Sequence, residues 1–334
     1  MKQVIISDPT LRDGNHAVRH QLTAEQIAIY ATAAENAGIH IVEVGHGNGI
    51  GASSIQVGLA KETDTSLLEA ARNNLKQSKL GIHVIPGFAT INKDLHMATD
   101  IGVDVFRVAA HCTEADITQK HISFIREQGK EVYGVLMMSH MASPQVLAEE
   151  ALKMQSYGAE GVIIMDSSGH YLPCDVTERI NLLRKTIKGH VGFHGHNNLS
   201  MAVANSIAAV DAGASMLDGC ARGFGAGAGN TQLEVLIAVL EKEGYTTGID
   251  LYKMLDAADI AEAKIIPHIP TIKSTSIISG MSGVFSGFLS PVERISKEYS
   301  VDPRDVFLKL GERKIVAGQE DVILEIALEL ANRK

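Results

Sequence analysis

The chain has no tryptophan, and its aromatics amount to 8 phenylalanines and 7 tyrosines in 334 residues. A large core must therefore be aliphatic and alanine-rich. Cysteine is scarce as well. Cys112, Cys174 and Cys220 lie far apart and form no Cys-x-x-Cys pair. That argues against a disulfide framework or a cysteine-based zinc site and fits a reducing, cytoplasmic setting. No basic run interrupts a chain whose net charge is −9, so neither nucleic acid nor an anionic membrane is an expected partner. No apolar stretch approaches the ~18 residues that span a bilayer. The apolar start before Asp8 is too short for a signal peptide. What remains is a chain that is 45% hydrophobic, enough for one large domain, alone or with a small one.

One pattern is present throughout most of the chain. Apolar runs at 4–7, 39–44, 82–85, 103–108, 132–137, 161–165, 190–193 and 215–217 alternate with amphipathic stretches at 25–37, 67–76, 117–127, 146–157, 176–187, 201–212 and 233–242. Thr23 with Gln26 reads as a capping box, and Ser143-Pro144 as an N-cap followed by a first-turn proline. Gly38, Gly102, Gly129, Gly158 and Gly213 stand where a left-handed residue ends a helix. Continuous apolar strands between helices predict a parallel sheet covered on its outside. Eight such units predict an α/β fold, a closed (β/α)8 TIM barrel over residues 1–248, with an open doubly wound sheet as the alternative. After Gly244 the rhythm changes, and 249–334 reads as a C-terminal all-helical domain for partner docking or oligomerisation. Ser290-Pro291 with Glu293, and Asp302-Pro303, read as helix starts.

In a barrel of this kind the chemistry sits at the C-terminal ends of the strands. Arg12, Asp13 and His16 follow the first run, and Glu43 and His46 close the second. Arg107 and His111 close the fourth, and Asp166, Ser167 and Ser168 the sixth. The strongest signal is His194-Gly195-His196 at the end of the seventh. Residues i and i+2 share one face of a strand, their Cα atoms roughly 6.5 Å apart. Two imidazoles so placed can converge on one cation. Asp13, expected on the neighbouring strand, completes a set of two histidines and one carboxylate. With open positions, that set suits Mn2+, Co2+, Mg2+ or Fe2+ better than a closed structural zinc. Arg12 beside Asp13 makes sense if an enolate forms, because the cation and the guanidinium can both stabilise its oxygen. His16 is then a candidate general base, with His20 as an alternative. The glycine-rich run 223–230, ending in Asn230, can present amides to an anion or serve as a structural turn. The loop 45–51 is a second glycine-rich segment, read as part of the site mouth. The histidines at 40, 83, 96, 121, 190 and 268 read as structural.

Taken together, Thr10-Leu11-Arg12-Asp13-Gly14, His194-Gly195-His196-Asn197 and the Gly-Ala-Gly-Ala-Gly-Asn run resemble the DRE-TIM metallolyases. Within that superfamily, the segments 12–21 and 193–200 look most like the 4-hydroxy-2-oxovalerate aldolase family of class II pyruvate aldolases. The likeness continues through 280–289 in the tail. The resemblance implies a retro-aldol cleavage of 4-hydroxy-2-oxopentanoate, or a close 4-hydroxy-2-oxo acid, to pyruvate and acetaldehyde or a short aldehyde. It also implies a place in aromatic hydrocarbon catabolism. A divalent metal, Mn2+ before Co2+ or Mg2+, would sit on Asp13, His194 and His196. Arg12, Ser168 and His194 would face the substrate, Arg12 stabilising the enolate and His16 taking the 4-hydroxyl proton. Glu43, Asp166, Asn230 and Phe285 would lie behind the site or along a channel. The helical tail would dock an acylating acetaldehyde dehydrogenase in an oligomer. Phe285 stands where that family usually has tyrosine, and Asn197 where a third histidine is common. Two alternatives follow from the same residues: an acyl-CoA condensing enzyme or lyase, like isopropylmalate synthase or hydroxymethylglutaryl-CoA lyase, and a non-catalytic barrel supporting a dehydrogenase.

Overall fold

The computed structural model describes residues 3–316 and 318–332. Eight parallel strands close a barrel in sequence order, the last pairing with the first. They are β1 Ile5–Leu11, β2 Ile41–Val44, β3 Lys79–Val84, β4 Val105–His111, β5 Glu131–Met137, β6 Gly161–Asp166, β7 His190–Gly195 and β8 Met216–Asp218. Around them run α1 Gly14–Ala17, α2 Ala24–Ala37, α3 Asp64–Asn74, α4 His96–Ile101, α5 Gln119–Glu127, α6 Pro144–Ser156, α7 Pro173–Thr186, α8 Ala202–Asp211 and α9 Leu233–Lys242. The punctuation behaves as its chemistry dictates. Thr23 and Gln26 form a reciprocal capping box, Ser143 caps the Val146 amide, and Gly38 and Gly102 end their helices in the left-handed region.

One helix escaped the periodicity. α4 is preceded by a single π-helical turn, Ile91–Leu95, whose wider winding breaks the 3.6-residue spacing of its apolar side chains.

Each strand has two buried faces. The outward face packs under the helices in a large aliphatic cluster with Val42, Leu80, Phe106, Val108 and Phe193. The inward face forms a smaller floor from Ile41, Val105, Tyr133, Ile163, Met165 and Met216. Strand side chains alternate, so the next inward positions toward the C-terminal ends are Glu43, Arg107 and Asp218. A layer of buried charge thus lies directly above the apolar floor.

The helical segment continues with α10 Leu251–Lys264, α11 Ser274–Ser282, α12 Leu289–Glu298, α13 Pro303–Glu312 and α14 Asp321–Ala331. α10 places Met254, Ala257, Ala258 and Ala261 in the barrel's own cluster. A separate cluster begins further on, with Val284, Phe288, Val292, Phe307, Leu310 and Ile323. α12 starts at Leu289, so Ser290 and Pro291 lie in its first turn, and Asp302 caps α13 as expected. Hydrogen bonds fasten the tail over the ends of β5, β6 and β7, among them Ser286 Oγ to Asn198 Oδ1 at 3.0 Å. Others run from His140 to the Gly283 carbonyl (2.8 Å), His170 to Gly280 (2.7 Å), Asn198 to Ser276 (3.2 Å), and the Ser286 amide to Ser167 (3.0 Å). No described helix is long and apolar enough to cross a membrane.

Candidate metal centre

β1 ends in a tight turn, because the amides of Arg12 and Asp13 both return to the Pro9 carbonyl, at 3.0 and 2.8 Å. Gly14 follows, where an added Cβ would lie 2.3 Å from the Phe224 ring. The turn therefore has room for no larger residue. Across the mouth, β7 carries His194 and His196, their ring centroids 5.2 Å apart. Asp13, His194 and His196 are all buried, and one ligand atom from each lies within 4.8 Å of the others.

The two sides of this cluster are not adjacent, as sequence reasoning had placed them. The closed strand order sets β8 between β1 and β7, and β8 supplies a residue that sequence reasoning missed. Asp218 ends a strand of only three residues, one position past the apolar run, and an acid before Gly219 was the one available signal. Its Oδ2 accepts from His194 Nδ1 at 2.8 Å and from Arg107 Nη2 at 2.5 Å. Arg107 Nη1 reaches Glu43 Oε2 at 3.0 Å, and Glu43 Oε1 accepts from Arg12 Nε. Arg12 Nη1 donates to Asp13 Oδ2 at 2.7 Å. One chain of alternating charge thus joins the guanidinium of Arg12 to the imidazole of His194 through fully buried side chains.

Buried ions persist only when paired, and the ionisation follows from the pairing. Burial pushes the Glu43 carboxyl up, but Arg12 and Arg107 outweigh it and bring it to about 2. Asp13 is likewise held well below the usual carboxylate range by Arg12, His196 and His194, against the cost of burial. Burial lowers His196 to about 3, opposed by Asp13, so its ring is neutral with a lone pair available.

The polar atoms left over fit a bound cation. His194 Nε2 and His196 Nδ1 are buried without a hydrogen-bond partner. Asp218 accepts from His194 Nδ1, which fixes the proton there and leaves Nε2 as a lone pair 3.9 Å from Asp13 Oδ2. Two imidazole lone pairs and an ionised carboxylate fit a divalent cation. Arg12 Nη2 is also buried and unpaired, while its other nitrogens are committed to Glu43, Asp13 and the Gly47 carbonyl.

The two glycine-rich segments serve the site in specific ways. A Cβ on Gly47 would fall 2.6 Å from the His16 ring, and one on Gly225 would meet Asn230 and Asp13. Asn230 Nδ2 donates to Asp13 Oδ1 at 3.0 Å, and the Ala226 amide reaches the same oxygen at 3.3 Å. The run 223–230 therefore directs an amide at Asp13. His16 is half-buried, and desolvation lowers it from its ordinary value of 6.5, with Asp13 opposing. His20 stacks on His46 at 3.5 Å and sits edge-on to His16 at 5.2 Å.

His83, read as structural, stands near the end of β3 rather than at its start. It lies beside Arg107 in the inward layer, buried, with Nδ1 unpartnered. Ser168 shares a hydrogen bond of 3.2 Å with His140 Nδ1. His140 Nε2 donates to a carbonyl, so Nδ1 is the acceptor and the serine donates. His140 and His170 were both passed over in the sequence, since their partners are tail carbonyls more than a hundred residues away. Asp166, which burial raises to about 6, takes the amides of His170 and Tyr171 and so shapes the loop bearing Ser168. Phe285 stacks edge-to-face on Phe288, 5.7 Å between centroids, on the tail's apolar cluster. Asn197 accepts the Ala202 amide at the start of α8.

With this geometry in view, the known proteins that the chain matches are informative. The HMGL-like family model matches residues 3–261, and a DmpG-like communication domain matches 270–332. A 4-hydroxy-2-oxovalerate aldolase of Spirochaeta aurantia is 64% identical over 330 residues, covering 99% of this chain and 97% of that protein. One from Pectobacterium atrosepticum is 61% identical over 332 residues, with coverage of 99% and 97%. Among solved structures, the carboxyl transferase domain of Rhizobium etli pyruvate carboxylase with pyruvate and biocytin superposes with a TM-score of 0.81. It is 17% identical and covers 99% of this chain and 61% of that one, a likeness of fold alone.

Proposed function

The chain belongs to the HMGL-like family and, within it, to the 4-hydroxy-2-oxovalerate aldolases, and from that premise we propose how its own residues carry the reaction. It is a carbon–carbon lyase that depends on a divalent metal. The substrate is 4-hydroxy-2-oxopentanoate, cleaved between C3 and C4 to pyruvate and acetaldehyde, a step that suits the catabolism of aromatic compounds.

Asp13, His194 and His196 would hold the ion, and Mn2+ fits the mixed nitrogen and oxygen donors. When bound, the ion supplies Lewis acidity to the 2-oxo group. His16, neutral through burial, takes the 4-hydroxyl proton. The C3–C4 electron pair then moves toward the 2-oxo oxygen as acetaldehyde leaves. Arg12 offers the N–H groups of its one uncommitted nitrogen, Nη2, to that oxygen. The other guanidinium nitrogens are already bound, so the donor is aimed before charge develops and costs no reorganisation. Protonation at C3 releases pyruvate. The Ser168 hydroxyl, whose proton goes to His140, keeps its oxygen lone pairs to accept from a donor at the same mouth.

The communication domain supports association with a dehydrogenase, which we infer to be an acylating acetaldehyde dehydrogenase that consumes the aldehyde. Ile277, Met281, Leu324 and Leu328 expose apolar surface on this segment, as a docking face requires.

The observation that carries the mechanism is the unpartnered Nε2 of His194 opposite Asp13 and beside Arg12. The test is pyruvate release by the purified chain. Turnover of 4-hydroxy-2-oxopentanoate should stop on chelation and return with Mn2+. Undiminished turnover in the chelated protein, or cleavage confined to acyl-CoA substrates, would contradict the reading.

A further inference from the structure

We propose that Asp218 is a positioning residue for the metal, acting through the tautomer and orientation of His194. The proposal rests on reading Asp13, His194 and His196 as the metal site. Asp218 is buried at the end of β8, and a single oxygen, Oδ2, receives both His194 Nδ1 and Arg107 Nη2. An ionised carboxylate only accepts, so the imidazole proton must sit on Nδ1, and Nε2 must face Asp13 as a lone pair. A free imidazole has no such constraint. It can carry its proton on Nε2, where it blocks the cation, or turn about its side-chain torsions.

Charge does not account for the role of Asp218. Arg107 lies closer to its carboxylate than His194 does, at 2.5 against 2.8 Å, and is itself anchored on Glu43. The negative charge of Asp218 is therefore largely matched before any cation arrives. What it provides is direction. Through Arg107 and Glu43, the same frame also fixes Arg12, so ligand and guanidinium keep one register across the ends of five strands. Outer partners of this kind typically change metal affinity 10–100-fold when removed.

The experiment uses the metal-free full-length chain, titrated with Mn2+ and followed by the electron paramagnetic resonance signal of the free ion. Asp218→Ala should weaken binding 10–100-fold. Asp218→Asn loses the same charge but can keep an acceptor at the Oδ2 position with its amide nitrogen in the unpartnered Oδ1 place. It should recover at least about fivefold of that loss. Equal weakening by both variants would make charge rather than orientation the cause, and parent-like binding by a folded Asp218→Ala would remove the role; either overturns the proposal. If the alanine variant does not fold, the 15N shifts of His194 in the metal-free parent decide. A proton on Nδ1 supports the proposal, and a proton on Nε2 refutes it. A parent chain that binds no Mn2+ at all overturns the metal reading, and this proposal with it.

Discussion

Arg107 and Arg313 each grip two carboxylates, and they have little else in common. Arg107 holds Glu43 and Asp218 in the barrel, with all three side chains at most 1% exposed. Arg313 holds Glu325 and Glu329 in the tail, with a third of the arginine and more of each glutamate in solvent. The distances are alike, 3.0 and 2.5 Å inside and 2.9 and 2.5 Å outside. Geometry alone would rate them equal. Water makes the difference. Outside, the charges remain solvated when the pair opens. Inside, a charge that loses its partner has none.

The comparison breaks most visibly at Arg107. Arg107→Met leaves Asp218 with only the imidazole of His194 and Glu43 with only Arg12, and should cost about 3–5 kcal/mol of folding stability, read from urea unfolding of the metal-free protein. Next is Arg12, to which we assign the enolate oxygen. Arg12→Lys loses the planar fork and should raise the barrier by about 3–4 kcal/mol. That appears as a fall in kcat of two to three orders of magnitude, with Mn2+ affinity changed far less.

Acid acts on histidines that burial holds neutral. His46 and His140 are both lowered to about 4, mainly by desolvation. An unfolded chain binds more protons than the folded one between about 6.5 and 4, so stability present above 6.5 is lost as pH falls through that window. Asp8 and Asp166, raised to about 6 by burial, act in the opposite sense over about 6 to 4, but His20 and His196, lowered by burial to about 3, add to the histidine side. A net decline of about 1–3 kcal/mol should appear in unfolding curves across that range, and His140→Asn should make it shallower. A stability that rises on acidification would contradict this balance. The smallest effect belongs to Arg313→Ala, at most about 1 kcal/mol and shrinking in high salt.

How much of this could be read from the chain alone follows the same division. The strands were legible because a parallel strand buried on both faces is a continuous apolar run, as in Val105–His111 and Glu131–Met137. His194-Gly195-His196 was legible because a strand's two-residue period fixes which side chains share a face. The π turn before α4 was not, since it violates the period that reveals helices. Asp218 was missed because its meaning lies in partners on other strands. The Glu43–Arg107 pair, 64 residues apart, and His140 with Gly283, 143 apart, exist only once the barrel closes and the tail folds over it. Local chemistry suggested the proposed ligands, and only the fold shows what surrounds them.

The central claim is that one cation is gripped by Asp13, His194 and His196. An anomalous difference map from crystals of the metal-free chain soaked in Mn2+ tests it most directly. The account predicts one strong peak within about 2.0–2.2 Å of a carboxylate oxygen of Asp13, of Nε2 of His194 and of a ring nitrogen of His196. A map with no peak between those three side chains, or with its peak elsewhere in the molecule, would contradict it.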